Sequence, residues 1–153
     1  MSKDTKQYII TLIATMAACF LIFHFVIGIA VVHGASMNPT YTEGNFVFFH
    51  RTHYVNAGDV AIIECDSLNE YIIKRVIGKS GDTIEIKDGI TYINGNPLDE
   101  ESIIVKTDDQ MDPVTVPEGM IFVMGDNRRN SVDSRYSIVG MLPTSKVLGT
   151  AIG

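Results

Sequence analysis

A serine and a lysine stand in two separate motifs, Gly34-Ala35-Ser36-Met37-Asn38-Pro39-Thr40 and Tyr71-Ile72-Ile73-Lys74-Arg75-Val76-Ile77-Gly78. Together they suggest a hydrolase in which Ser36 is the nucleophile and an uncharged Lys74 is the general base. Strand alternation puts Tyr71, Ile73, Arg75 and Ile77 on one face and Ile72, Lys74 and Val76 on the other. Lys74 is therefore flanked by branched apolar neighbours. Burial disfavours the ammonium form, so such a lysine can be neutral and accept a proton from a hydroxyl. Ser-Lys pairs are a known variant of the Ser-His-Asp arrangement. On strand pattern alone, a snorkelling lysine or an edge-strand charge against aggregation remains an alternative.

Ser36 lies in a turn-rich segment. Gly34 allows close backbone approach, and Pro39 restrains Asn38 to an extended conformation. The segment is not a nucleophile elbow, because the second glycine is missing and no helix follows. A His-based triad from His33, His50 or His53 stays open, since no spacing singles one out. His50-Arg51-Thr52-His53 lacks the further ligands of a zinc site, so neither a metal nor another cofactor is expected. A third motif runs Gly125-Asp126-Asn127-Arg128-Arg129-Asn130-Ser131-Val132-Asp133-Ser134-Arg135. Two arginines at its centre argue against a calcium loop. It reads as a polar network in which Asp126, Asp133, Arg128 and Arg135 pair, with a hydroxyl such as Ser131 fixing the lysine amine. A solvated loop of mixed charge is the alternative.

These residues need a scaffold, and the chain of 153 residues allows one compact domain besides an apolar N-terminal stretch. No Asp, Glu, Lys or Arg occurs from Gln7 to Thr42, and Tyr8 to Val32 is almost continuously apolar. A helix of about 25 residues would be about 38 Å long, enough to cross a hydrocarbon core of roughly 30 Å with some tilt. Lys3 and Lys6 precede it, which keeps the N-terminus cytoplasmic and exports the rest. A cleaved secretory leader is the alternative, but its apolar region runs only about 7–15 residues. The expected division is a short cytoplasmic N-terminus over 1–7, a transmembrane anchor over 8–32 and an exported domain over 33–153.

Beyond the anchor the pattern is mainly β. Strands are expected at Asn45–His50, Asp59–Glu64, Tyr71–Ile77, Asp82–Lys87, Ile90–Ile93, Met120–Met124 and Lys146–Ile152. Asp88-Gly89 is a hairpin signal, and Asn94-Gly95 marks another turn. Asp99 to Asp112 reads as a mobile loop. The fold class is an antiparallel β-sheet domain with long connections, preceded by one transmembrane helix. Phe46, Phe48 and Phe49 make one strand apolar on both faces, either buried twice or dipping into lipid. The formal net charge of -6 argues against nucleic acid as a partner. Cys19 and Cys65 give no disulfide framework.

Taken together, the segments resemble the bacterial type I signal peptidases. Gly-Ala-Ser-Met-Asn-Pro-Thr is similar to their serine box and Lys-Arg-Val-Ile-Gly, with Gly81-Asp82 after it, to their lysine box. The third motif is similar to their C-terminal box, and Gly58-Asp59-Val60 to the one between. The short domain looks like the compact Gram-positive forms. The resemblance implies a membrane-bound serine endopeptidase that removes signal peptides from exported preproteins. It assigns the nucleophile to Ser36, the base to Lys74, lysine orientation to Ser131 and site support to Asp133 and Arg135. It also implies that the Ser36 backbone N–H donates to the oxyanion. Gly34 stands where some members carry a serine whose hydroxyl assists there. An extended substrate is expected beside Ile72-Ile73 and the segment around Gly34, with Met37 and the isoleucines leaving only shallow pockets. The implied partners are signal peptides and the lipid bilayer. The rival class is a non-catalytic, membrane-anchored β module derived from the same fold. A Ser-Lys self-cleaving repressor is disfavoured by the anchor, the acidic charge and the lack of a DNA-binding helix pair.

Overall fold

The computed structural model describes residues 2–98 and 107–152. An N-terminal helix, α1 (Lys3–Phe25), is capped by the Ser2 hydroxyl, which accepts from the Thr5 N–H at 3.1 Å. None of its residues is buried, and it is long and apolar enough to cross a membrane. The apolar stretch does not continue as helix to Val32. After Val26 it becomes a strand, β1 (Ile27–Val31), paired antiparallel with β2 (Phe46–Arg51). The reason is local. Ile27-Gly28-Ile29-Ala30-Val31 has three β-branched residues and a glycine, a poor helix and a good strand. A side chain at Gly28 would overlap the ring of Phe49, so the close approach of β1 to β2 requires glycine.

The remaining strands are β3 (Val60–Cys65), β4 (Glu70–Lys79), β5 (Thr83–Lys87), β6 (Ile90–Ile93), β7 (Asn96–Pro97), β8 (Met111–Thr115), β9 (Met120–Met124), β10 (Leu142–Pro143) and β11 (Val147–Ala151). They form a seven-stranded sheet ordered β1-β2-β11-β3-β4-β9-β10 and a four-stranded sheet ordered β7-β6-β5-β8. Every pairing is antiparallel. The expected hairpins close as the sequence suggests. Asp88 and Gly89 take φ of 50° and 74°, and Asn94 and Gly95 take 53° and 80°. Positive φ at both central residues is what a type I′ turn demands.

The expected loop over Asp99–Asp112 is partly corrected. Residues 99–106 lie outside the described residues, but Met111 and Asp112 open strand β8. Pro113 hides that strand from a sequence reading. It is tolerated because β8 is an edge strand, paired among the described residues only with β5.

Three apolar clusters fill the interior. One packs Ile63, Val76, Ile121 and Val147 together. A second packs Ile77, Ile84, Phe122 and Met124. The third, containing Val32, Val47, Phe49 and Ile62, sits beneath β1 and β2. The phenylalanine strand is therefore one-sided. Phe49 is 4% exposed, while Phe46 and Phe48 are 70% and 48% exposed. Their cross-strand partners Val31 and Ile29 are also exposed, which makes a contiguous apolar face on the strand that follows α1.

Candidate active site

Lys74 sits in the middle of β4 at 5% exposure, between the buried Ile72 and Val76. Its Nζ lies 2.7 Å from Ser36 Oγ. Burial is the main influence on the amine and pushes its pKa down; the carboxylates of Asp133 and Glu70 pull it part of the way back up. A lysine in this setting gives up its proton more readily than one on the surface. Once neutral, it accepts the hydrogen bond from the serine hydroxyl.

The backbone around Ser36 is held from the third motif. The Asn127 N–H donates to the Ser36 carbonyl at 2.9 Å, and Asn127 Nδ2 donates to the Ala35 carbonyl at 3.0 Å. A side chain at Gly125 would overlap both the Ser36 carbonyl oxygen and the Ser131 hydroxyl, so glycine is required at this crossing. Gly34 has φ of +84°, and open space lies where its side chain would stand. Its N–H donates to the Glu43 carboxylate.

The polar network differs from the expected pairing of Asp126, Asp133, Arg128 and Arg135. Asp133 and Arg135 do pair. Asp133, fully buried, accepts from Arg135 Nε at 2.8 Å, from Ser131 Oγ at 2.7 Å and from the Gly125 N–H at 2.9 Å. Arg135 also reaches the Asp109 carboxylate and, at 2.8 Å, the Arg128 carbonyl. Asp126 belongs to a different bridge. It accepts from Arg75 Nε at 2.7 Å and Nη2 at 2.6 Å, and from Thr40 Oγ1 at 2.5 Å. The Arg128 guanidinium reaches Thr91 Oγ1 at 3.0 Å. Among the described residues no hydrogen bond joins Ser131 to the Lys74 amine; the hydroxyl donates to Asp133.

A cleft of about 420 Å³ opens beside the serine and lysine, walled by the Val31–Ser36 segment on one side and Glu70–Lys74 on the other. Gly34, Ile72 and Ile73 line it. Met37 does not; it is fully buried and stands apart from the lining. An apolar residue directly after a half-buried serine is drawn inward by the same burial that fills the core. The residues missed in the sequence are Thr40, Arg75, Asn127 and Asp109. Thr40, Arg75 and Asn127 lie inside the three motifs, which was the available signal; Asp109 carried none.

Comparison with known proteins agrees with this architecture. A family model described as "Signal peptidase, peptidase S26" matches residues 5–152. Signal peptidase I of Bacillus licheniformis is 37% identical, over 95% of this chain and 85% of its own. Signal peptidase I T of Bacillus subtilis (strain 168) is 35% identical, over 97% and 86% respectively. The crystal structure of a signal peptidase I from Enterococcus faecalis V583 superposes with a TM-score of 0.55 at 32% identity, covering 63% of this chain and 96% of that one. A β-rich domain behind one apolar helix, matched along nearly its whole length by signal peptidases, defines a peptidase fold. The chain belongs to the peptidase S26 family of signal peptidases.

Proposed function

We propose that the chain is a membrane-bound serine endopeptidase that removes N-terminal signal peptides from exported preproteins. The observation that carries the mechanism is the 2.7 Å approach of a buried lysine amine to the Ser36 hydroxyl. Neutral Lys74 takes the hydroxyl proton as Ser36 Oγ attacks the scissile carbonyl. The resulting ammonium returns the proton to the leaving amine. A water, deprotonated by the same lysine, then releases the acyl group from Ser36. The Ser36 N–H supplies an oxyanion donor, and Gly34 offers no side-chain donor beside it. Asp133 and Arg135 keep the lysine's surroundings fixed, and Ser131 acts through Asp133.

The substrate enters as an added strand. β1 is the outer strand of the large sheet, and β9 pairs only with the Arg75–Lys79 half of β4. The edges of β1 and of Glu70–Lys74 thus face one another across the cleft. Ile72 and Ile73 leave room for small side chains. A peptide with Ala at the first and third positions before the cut should be cleaved by wild type and not by Ser36→Ala. Replacing the first Ala by Phe should lower kcat/KM at least about tenfold. Equal rates for the two peptides would refute this binding mode. Absence of any cleavage by a folded wild-type protein would favour the non-catalytic β module.

The acidic limb of the pH–rate profile tests the lysine directly. Because burial lowers its pKa, the neutral, active form persists to a lower pH than an ordinary lysine would allow. Activity should already be substantial near neutrality and fall as acid protonates Lys74. Activity confined to strongly alkaline pH would mean a lysine of ordinary pKa.

In the proposed topology α1 spans the membrane with Lys3 and Lys6 in the cytoplasm, and the exported domain begins by Ile27. The apolar face around Phe46 and Phe48 then meets the lipid surface. A protein starting after Phe25 keeps β1 and should still float with vesicles. Phe46→Ser together with Phe48→Ser should reduce flotation while leaving the melting temperature nearly unchanged. Undiminished flotation would exclude lipid contact by these rings.

A further inference from the structure

The cleft has a polarity that the shallow-pocket reading does not use. Four titratable side chains line it: His33, Glu70, Tyr71 and Lys74. Lys74 is buried against Ser36, and His33 Nδ1 has its own carboxylate, Glu43 Oε1 at 3.3 Å. Glu70 is exposed and takes part in none of the ion pairs among the described residues. Its electrostatic neighbour Lys74 is buried, and burial pushes that amine toward the neutral form. Cys65, its cross-strand partner on β3, is buried. Glu64 and Asp66, on the same hairpin, share one cation, Lys146 Nζ, at 3.2 and 2.8 Å. A second hollow of about 140 Å³ adjoins the cleft at this end, bordered by Glu64, Asp66 and Glu70. The far end of the cleft therefore combines an exposed carboxylate, outside every ion pair among the described residues, with room for a long side chain.

For an added strand running parallel to β4 with its scissile bond beside Lys74, spacing decides which substrate residue meets Glu70. Glu70 precedes Lys74 by four positions, about 13 Å at roughly 3.3 Å per residue. Glu70, Ile72 and Lys74 share one face of β4. A strand added alongside shows the side chains of its first, third and fifth residues before the cut to that same face. The first and third meet the shallow pockets near Lys74 and Ile72. The fifth arrives at Glu70.

We propose that Glu70 is a specificity-determining residue that favours Lys or Arg at the fifth position before the cut and disfavours Asp or Glu there. This rests on the cleft being the signal-peptide site. Attraction between an exposed carboxylate and a substrate cation is modest and screened by salt, so its effect is a bias, not an absolute gate.

The test uses the full-length protein in detergent and three peptides that differ only at the fifth position: Lys, Gln or Glu. Wild type should prefer Lys over Gln and Gln over Glu, by about threefold at each step at low salt. Glu70→Gln should flatten the series and Glu70→Lys should reverse it. The side chain is exposed, so both variants should fold. Glu70→Gln should also move the acidic limb of kcat/KM to lower pH, because removing the carboxylate makes Lys74 easier to deprotonate. A merely structural role would not move it. Retention of the wild-type order in both variants, or equal cleavage of all three peptides by wild type, would overturn the assignment to Glu70. If wild type cleaves none of the three, the signal-peptide reading itself falls.

Discussion

Ser36→Ala and Lys74→Ala should each lose at least about a thousandfold in kcat/KM, and the double variant should be scarcely slower than either single one. The reason is that each group is useless without the other. A hydroxyl with no acceptor for its proton is a poor nucleophile, and an amine with no hydroxyl at 2.7 Å has nothing to deprotonate. Stability should move differently from activity. Burial lowers the folded-state pKa of Lys74, so at any pH between its folded and unfolded values the amine gives up its proton as the chain folds, which costs free energy. Folding stability therefore rises with pH from the folded pKa of Lys74 up to its unfolded value, and below that window the protonated amine is carried into the fold at a penalty. Lys74→Met, which keeps the volume and removes the charge, should melt no lower than wild type and should lose this pH slope. Multiplicative losses in the double variant, or a Lys74→Met protein that still cleaves, would show that the two residues do not act as a unit.

Local pattern carried much of what the sequence revealed. Alternation along Tyr71–Ile77 put Lys74 on the face of Ile72 and Val76, and that is the buried face of β4. Asp88-Gly89 and Asn94-Gly95 marked turns because so few residues tolerate positive φ. What stayed hidden depends on partners far away in the chain. Ile27–Val31 is as apolar as the helix before it, and hydropathy alone cannot say that it leaves the helix to pair with Phe46–Arg51. The strand reveals itself only through the contact of Gly28 with Phe49. The same holds for the charges. Asp126, Asp133, Arg128 and Arg135 are neighbours in sequence and looked like one network. In space Asp126 turns to Arg75, on another strand, and Asp109 enters from outside every motif to meet Arg135. Charge type and the Asp133–Arg135 pair were legible; the turn of Asp126 to Arg75 and the arrival of Asp109 were not.

That rearrangement sets the last large expectation. Asp126 is 1% exposed and receives Arg75 through two nitrogens and Thr40 through its hydroxyl. It therefore ties three segments together: the strand that carries Lys74, the loop that carries Ser36, and the Gly125 crossing that touches the Ser36 carbonyl. Asp126→Asn removes the charge and leaves Arg75 half-buried without its counter-ion. Breaking one side of such a pair costs about 3–5 kcal/mol. That is a large share of the roughly 5–15 kcal/mol that holds a domain of this size together. The melting temperature should fall by about 10 °C or more. Cleavage should drop even well below the new melting point, because Ser36 and Lys74 lose their common brace. Lys146→Ala provides the contrast. Lys146 also bridges two carboxylates, Glu64 and Asp66, but on an exposed surface where water already solvates all three. Its loss should leave both melting temperature and cleavage close to wild type. Thermal melting of the two variants beside peptide cleavage at 20 °C separates the cases. Equal behaviour of the two would show that burial of the Arg75–Asp126 bridge does not distinguish it from a surface pair.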